Sequence, residues 1–448
     1  MSNQVFVERP RYTCASGGAV ATVTALPGGI PILHAAQGCA GNFAWTQNGA
    51  AGLQVGGYCG SLTVPSSNVQ EREVVFGGVD RLCQQITHTL EVMEGELFVL
   101  LTSCVTEIIG DDVAPVVAEF REQGVPITFA ETAGFKGNSY AGYDLVLQSL
   151  FRDILERGLP LQKGRVNLWG IPPYQDVFWR GNLVELRGLL EKLGLTVNSF
   201  FTAEDTVESI RTASAAELNI VVSEVYGLEA AKVSQEIHGV PYVTTALPIG
   251  PAATEQFLRQ VAQALSLEPA ILESVIASEQ RYYYRTLEPL TDCYNDMDLQ
   301  RYAIVVGDGN YAPALTRFLA DDLGWLPELV VITDSHDDDR KRALTLTVKT
   351  LTSGLKPHLV FESDGSQIIS HFHQIWPSRQ NQKYKHAFNP AFVVGSSLER
   401  ELAASLGAAH VSISFPVSNR AILDRGYAGY RGGLRLIEDL LGVVIAGR

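Results

Sequence analysis

The sequence contains no run of ~18 uninterrupted apolar residues, the length a membrane-spanning helix needs. Its most apolar stretch, LFVLL at 97–101, is far too short. The opening MSNQVFVERPRY has no cationic start followed by an apolar run, so no secretory signal is expected and a cytoplasmic, reducing location follows. Basic residues are not in excess: 34 Lys and Arg face 49 Asp and Glu, a net charge of −15. That balance argues against tracking a phosphate backbone, so neither nucleic acid nor a membrane is expected as a partner. It suits a soluble chain that docks a basic or metal-carrying partner. The absence of G-x-x-x-x-G-K-[ST] excludes ATP hydrolysis by a P-loop in this chain. The absence of a C-x-x-C pair excludes a zinc ribbon. In a reducing compartment the six cysteines are not disulfides but buried apolar residues or ligands.

What is present is an alternation. At 448 residues the chain exceeds one ordinary core, so two or three domains are expected. Apolar runs at 30–34, 97–102, 165–169, 218–223, 302–306, 329–333, 359–362 and 391–394 read as strands. Helical periodicity follows at 113–123, 182–193, 229–237, 312–322 and 398–406. Strands apolar on both faces that alternate with helices imply parallel sheets covered by helices. Connections near 158–164 and 286–298 divide the chain, which predicts three doubly wound, Rossmann-like α/β domains at 1–160, 161–295 and 296–448.

Cysteine placement says more than cysteine spacing. Cys39 (HAAQGCAGN) and Cys104 (LLTSCVTEIIGDD) each fall just beyond a predicted strand, and Cys14 (YTCASGGAV) precedes a helix start. Open α/β sheets carry their sites outside the carboxyl ends of the strands. Helix N-termini lower thiol pKa values, and thiolates bind metal. Gly17, Gly18, Gly38 and Gly41 would let a bulky inorganic centre approach the backbone. By themselves the residues leave two readings open, metal ligands or buried free thiols. Cys83 lies in a helical stretch and Cys293 in a polar connection, both read as inert; Cys59, in the Gly-rich GGYCGSL, is compatible with either role.

Other signals compete. Gly307, Gly309 and Ala312 in VVGDGNYAPAL match G-x-G-x-x-A after a strand, and Asp334 follows where a ribose-binding acid would fall. A metal-free dinucleotide-binding enzyme is therefore an alternative, although any parallel strand–turn–helix needs such a turn sterically. Glu107, Asp111 and Asp112 are an acid cluster or, by their helix-terminal position, caps. His371 and His373 alternate as metal ligands can, but without a nearby third ligand in sequence. His34 reads as a satisfied core histidine, and Trp45, Tyr58, Trp169 and Trp179 as packing residues.

The motifs HAAQGC at 34–39, VVFGG at 74–78 and TSCVTEIIGDDV at 102–113 resemble the nitrogenase component 1 family. VNLWGIPPYQDVFWRGNLVELRGLL from Val166, PIGPAAT at 248–254 and the ending from Ser414 resemble its β-type subunit. The resemblance implies that Cys14, Cys39 and Cys104 are cofactor-binding metal ligands. They would hold half of a P-cluster, an eight-iron, seven-sulfur centre shared with an α-type subunit, in an α2β2 heterotetramer. It implies an ATP-dependent iron protein dimer as electron donor and an iron–sulfur cofactor in the α subunit. The Cys and His that hold that cofactor have no equivalent here, so no catalytic residue is assigned to this chain. A Ser that becomes a ligand on oxidation in many β subunits falls at Gly134. The short N-terminus and the segment between Cys39 and Phe76 depart from the molybdenum, vanadium and iron-only β subunits. Those departures resemble the methylthio-alkane reductases, which cleave C–S bonds in sulfur salvage. The alternatives are a β subunit of an alternative nitrogenase that reduces dinitrogen and a cofactor-assembly scaffold.

Overall fold

The computed structural model describes residues 7–54, 64–376 and 388–447. Tyr58 and Cys59 lie outside the described residues. The chain forms two compact units, one of residues 12–244 with 421–423, the other of residues 245–420 and 424–448 with the N-terminal segment up to Arg11.

The first unit carries two parallel sheets. β1 (Gly29–His34), β2 (Leu97–Thr102) and β3 (Ile127–Ala130) pair in the order β1-β2-β3. All six residues of β2 are buried, as expected of a central parallel strand covered on both faces. The helices around this sheet are α1 (Ala15–Ala25), α2 (Cys39–Ala50), α3 (Glu71–Phe76), α4 (Val79–Val92), α5 (Cys104–Ile109), α6 (Ala114–Glu122) and α7 (Ser139–Asp153). Leu82, Ile86, Val116, Val117 and Phe120 from α4 and α6 close one core over Phe98 and Leu100. The second sheet has β4 (Gln162–Trp169), β5 (Thr196–Asn198), β6 (Ala216–Val221) and β7 (Tyr242–Thr244) in the order β5-β4-β6-β7.

The other unit holds one sheet of β8 (Tyr302–Gly307), β9 (Leu326–Ile332), β10 (His358–Phe361), β11 (Ala391–Gly395) and β12 (Ala409–Ser412). Its order, β10-β9-β8-β11-β12, winds outward both ways from its first strand, which is the doubly wound topology. The first sheet is simpler and shows no reversal.

Three sheets thus fall into two compact units. Gly18 and Gly142 set α1 against α7: a Cβ on either would clash with backbone of the facing helix, so the two pack in direct backbone contact. α7 also packs on the helix Leu228–His238 of the second sheet. The expected boundary near 160 therefore separates two sheets inside one unit. The helices Gly250–Ala264 and Pro269–Leu287 pack on the C-terminal helix Gly429–Ala446, so their segment joins the third sheet.

Candidate metal centre

All three predicted thiols stand at helix N-termini. Cys14 is the N-cap of α1, Cys39 opens α2 and Cys104 opens α5. Each local geometry has a plain cause. Gly38 takes the left-handed conformation (φ +95°) that turns the chain into α2, a region that penalises any side chain. Ser103 and Thr106 form a capping box at the start of α5. Cys14 pairs in an isolated antiparallel bridge with Asn138, which itself caps α7.

Gly134 brings two of the sulfurs together. A Cβ built there would lie 3.0 Å from the Cys104 Sγ, 3.1 Å from the Cys14 Cβ and 3.4 Å from the Cys14 Sγ. The Gly134 amide donates to the Cys104 Sγ at 3.1 Å. The 131–136 loop is held in place by Glu107, which accepts from the Thr102 hydroxyl at 2.5 Å and the Ala133 amide at 2.9 Å. Burial works against the Glu107 charge, but these bonds and Lys136 overcome it and hold the carboxyl below its usual range. Lys136 also pairs with Glu131, so this cation is already neutralised by two carboxylates.

Cys39 senses both other thiols. Burial pushes its pKa up, and the charges of Cys14 and Cys104 push in the same direction. The helix N-terminus alone predicts a lowered value; burial, with the charges of the two neighbouring sulfurs added to it, reverses the direction. Three thiolates can share this space only with positive charge among them. Among the described residues no three His, Cys, Asp or Glu side chains group tightly enough for a single metal ion. With Gly134 lying between two sulfurs, the set is a wall rather than a closed cage. That donor set suits a polynuclear sulfur-bridged centre better than zinc.

The glycine expectation divides. Gly17 and Gly18 face protein: a Cβ would meet Thr13 Oγ1 at 2.6 Å and the Ser139 carbonyl oxygen at 1.9 Å. Their smallness serves helix packing, not an inorganic centre. Gly38 and Gly41 have no atom within 4 Å of their Cβ positions and leave the Cys39 side open.

The competing signals resolve into structural roles. His34 is fully buried between Ser67 (2.8 Å) and Asp111 (3.0 Å), and burial holds its pKa low. As a neutral ring it donates from Nε2 to Asp111 and accepts from Ser67. Asp111 also accepts from the Gly78 amide, and Asp112 from the Ala114 amide. His371 and His373 lie on the helix Ile368–Ile375, where residues two apart point to different sides; His371 bonds Glu362 at 3.0 Å. Trp169 and Trp179 are buried packing residues. Cys83 packs beside the first core, and Cys293 is exposed in the helix Leu290–Asp296.

The G-x-G-x-x-A turn lies where expected, between β8 and the helix Tyr311–Arg317. Its amides are taken. Asp308, buried, accepts from the Asn310 and Tyr311 amides at 2.9 and 2.8 Å, so a carboxylate fills the place a phosphate would need. Asp334 pairs with His336 at 2.7 Å rather than standing open. The Asp308 cap and the Glu107 brace were missed from sequence; the D in GDGN is the signal for the first, and nothing local marks the second.

Thiols gathered at the carboxyl ends of a parallel sheet define an α/β protein with a sulfur-lined face. A family model described as nitrogenase component 1 type oxidoreductase matches residues 14–445. The vanadium-iron protein beta chain of nitrogenase from Trichormus variabilis is 23% identical, spanning 98% of this chain and 94% of that one. One chain of the light-independent protochlorophyllide reductase of Synechococcus elongatus is 24% identical over 84% of this chain and 73% of its own length. The solved structure of nitrogenase Cp1 at pH 6.5 superposes with a TM-score of 0.79 at 18% identity, covering 100% of this chain and 95% of that one, which shows a shared fold. The chain belongs to the nitrogenase component 1 family of oxidoreductases, as a β-type member.

Proposed function

We propose that this chain is the β-type subunit of a nitrogenase-like reductase in which Cys14, Cys39 and Cys104 hold half of a P-cluster completed by an α-type subunit. The carrying observation is the convergence of Cys14 and Cys104 about Gly134 with Cys39 in charge contact with both. When bound, such a cluster supplies electron storage at a potential tuned by its surroundings. The chain's own residues hold iron through thiolates, and the Gly134 amide tempers the charge on the Cys104 sulfur. Exposed Ile108 and Phe135 flank Cys104 and Gly134, apolar surface suited to the α-type partner. Lacking a P-loop, the chain depends on a separate ATP-dependent iron protein dimer for electrons and on an iron–sulfur cofactor of the α subunit for substrate. We place it in the cytoplasm, as part of an α2β2 assembly.

For the substrate we infer small methylthio-alkanes. Reductive cleavage of one C–S bond takes two electrons and two protons and yields a hydrocarbon and a thiol. Gly134, where many β subunits carry a Ser, sets this chain apart from them and supports a divergent reductase. A second reading, dinitrogen reduction, is favoured by length: the chain spans 94% of the vanadium-iron beta chain. The complex, purified without oxygen with its iron protein, should release methanethiol from dimethyl sulfide. Ammonia from dinitrogen without C–S cleavage would select the second reading, and turnover of neither would mark an assembly scaffold. For the ligand assignment, Cys39→Ala should lose cluster iron and its spin-resonance signal while the fold persists; unchanged iron content refutes it.

A further inference from the structure

The helix that opens with Cys104 has almost no hydrophobic anchor of its own. α5 spans only Cys104–Ile109, too short to be stable by itself, and Thr106 is its one buried residue. Ile108 stands 73% exposed on it. Besides the Glu107 brace, what fixes α5 is a single buried residue at the end of β1. The Thr106 hydroxyl donates to the His34 carbonyl at 3.0 Å, in the first turn of the helix. Just past the helix end, Asp111 accepts from the His34 ring at 3.0 Å. His34 thus grips α5 at both ends, by its main chain at the first turn and by its side chain beyond the last.

The same residue directs the chain toward Cys39. β1 ends at His34, and the backbone runs on through Ala35 and Ala36 to Gly38 and the start of α2. Ser67, bonded to the ring Nδ1 at 2.8 Å, accepts from the Ala35 amide at 3.1 Å. Its own amide donates to the Leu33 carbonyl at 3.0 Å, and the Val69 amide to the Ala35 carbonyl at 2.8 Å. The outgoing chain is therefore held along the 65–69 segment, which Arg81 secures by donating to the Ser67 carbonyl at 2.9 Å. On the other side the Gly78 amide donates to the second oxygen of Asp111 at 2.8 Å. Only a glycine fits there, since a Cβ would meet Asp111 Oδ2 at 2.6 Å and His34 Cε1 at 3.1 Å. Both ring nitrogens and both Asp111 oxygens are engaged, which makes the network complete and stiff. An imidazole and a carboxylate cost more to bury than apolar side chains of similar volume, so their place in this core points to a geometric duty.

We propose that His34 is a positioning residue for the cluster: by tying α5 to the chain that leads to Cys39 it sets where the Cys104 and Cys39 sulfurs stand, with Asp111 and Ser67 holding its ring. This role rests on the reading of the three cysteines as cluster ligands. Variants of the complex, purified without oxygen, are compared by circular dichroism, by the rate of iron loss to a chelator, and by the g-values and midpoint potential of the spin-resonance signal. His34→Leu fills the space and makes neither ring bond. It should keep its secondary structure, lose iron roughly tenfold faster or more, and show shifted g-values and midpoint. Asp111→Asn should stay close to the wild type, because its amide can serve the same two partners once the ring changes tautomer. Unchanged iron loss, g-values and potential in folded His34→Leu overturn the proposal. Equal damage by Asp111→Asn overturns it as well, since charge rather than position would then be at work. If His34→Leu does not fold, Ser67→Ala, which deletes a single oxygen, decides: shifted g-values support the role and unshifted ones overturn it. Cys39→Ala in the same series separates the two claims. Iron retained there refutes the ligand reading, and iron lost there with a wild-type signature in His34→Leu refutes only the positioning role.

Discussion

Two turns in this protein obey the same strand-to-helix grammar and reach opposite chemical ends. At β2–α5 the strand ends at Thr102, Ser103 caps, and Cys104 stands exposed at the helix N-terminus. At the end of β8 the strand ends at Gly307 and Asp308 folds back, buried, onto the amides that open the next helix. The first turn presents a side chain outward; the second consumes its own N-terminus. A parallel α/β sheet offers such a position after every strand, and the residue placed there decides whether it is a site. The same logic makes a match to G-x-G-x-x-A uninformative when an acid occupies the turn.

Replacing the outward residue should give the largest effect. Cys104→Ala, co-purified with the α-type partner, should lose most cluster iron with secondary structure retained, as read by iron quantification and circular dichroism. Asp308→Ala should do the reverse. Iron content should be unchanged, while two buried amides lose their acceptor at a cost of about 2–4 kcal/mol, seen as a lower denaturant midpoint. Tight NADH binding by that variant would show that the acid alone had closed a dinucleotide site.

The far end of the same helix sharpens the contrast through pH. The folded pKa of Asp322, raised by burial to about 7, lies above its ordinary 3.8. Its penalty is absent where both states are protonated, below pH ~4, and grows to its full size as pH rises through 7. Asp322→Asn should therefore match the wild type near pH 4 and exceed it at pH 8 by about 1–3 kcal/mol in urea unfolding. Glu107 has the opposite sign. Its lowered pKa contributes stability above pH ~4.3 that is lost as pH falls below it, a loss Glu107→Gln should abolish. Smallest of all, Gly134→Ala should cost roughly 1 kcal/mol, since the new methyl is held 3.0 Å from the Cys104 sulfur and that side chain must shift. A drop in cluster iron in this variant would show that the sulfurs cannot move apart without loss of the site.

Strands were the most legible level, because a strand buried on both faces is a continuous apolar run. The run at 97–102 is β2 residue for residue. Helix 312–322 was legible in extent but not in kind, since periodicity does not distinguish the π-turn at Phe318–Asp322 from the α-helix before it. Among site residues, the helix-terminal positions of Cys14, Cys39 and Cys104 could be read from strands and glycines nearby. Gly17 and Gly18 were misread as room for a ligand, because sequence does not say which helix will press on a glycine.

The amino-acid order alone determined the parallel α/β class, the lack of a P-loop and the seating of three thiols at turn positions, all of which depend on neighbours a few residues apart. Only the tertiary structure decided that Gly134 would stand between Cys14 and Cys104, that Glu107 would hold its loop through Ala133, and that the Asp322 Oδ2 atom would be buried without a hydrogen-bond partner among the described residues. Even the Glu107–Ala133 contact joins residues 26 positions apart. Geometry at that range follows from how helices close over the sheets, which local periodicity does not encode.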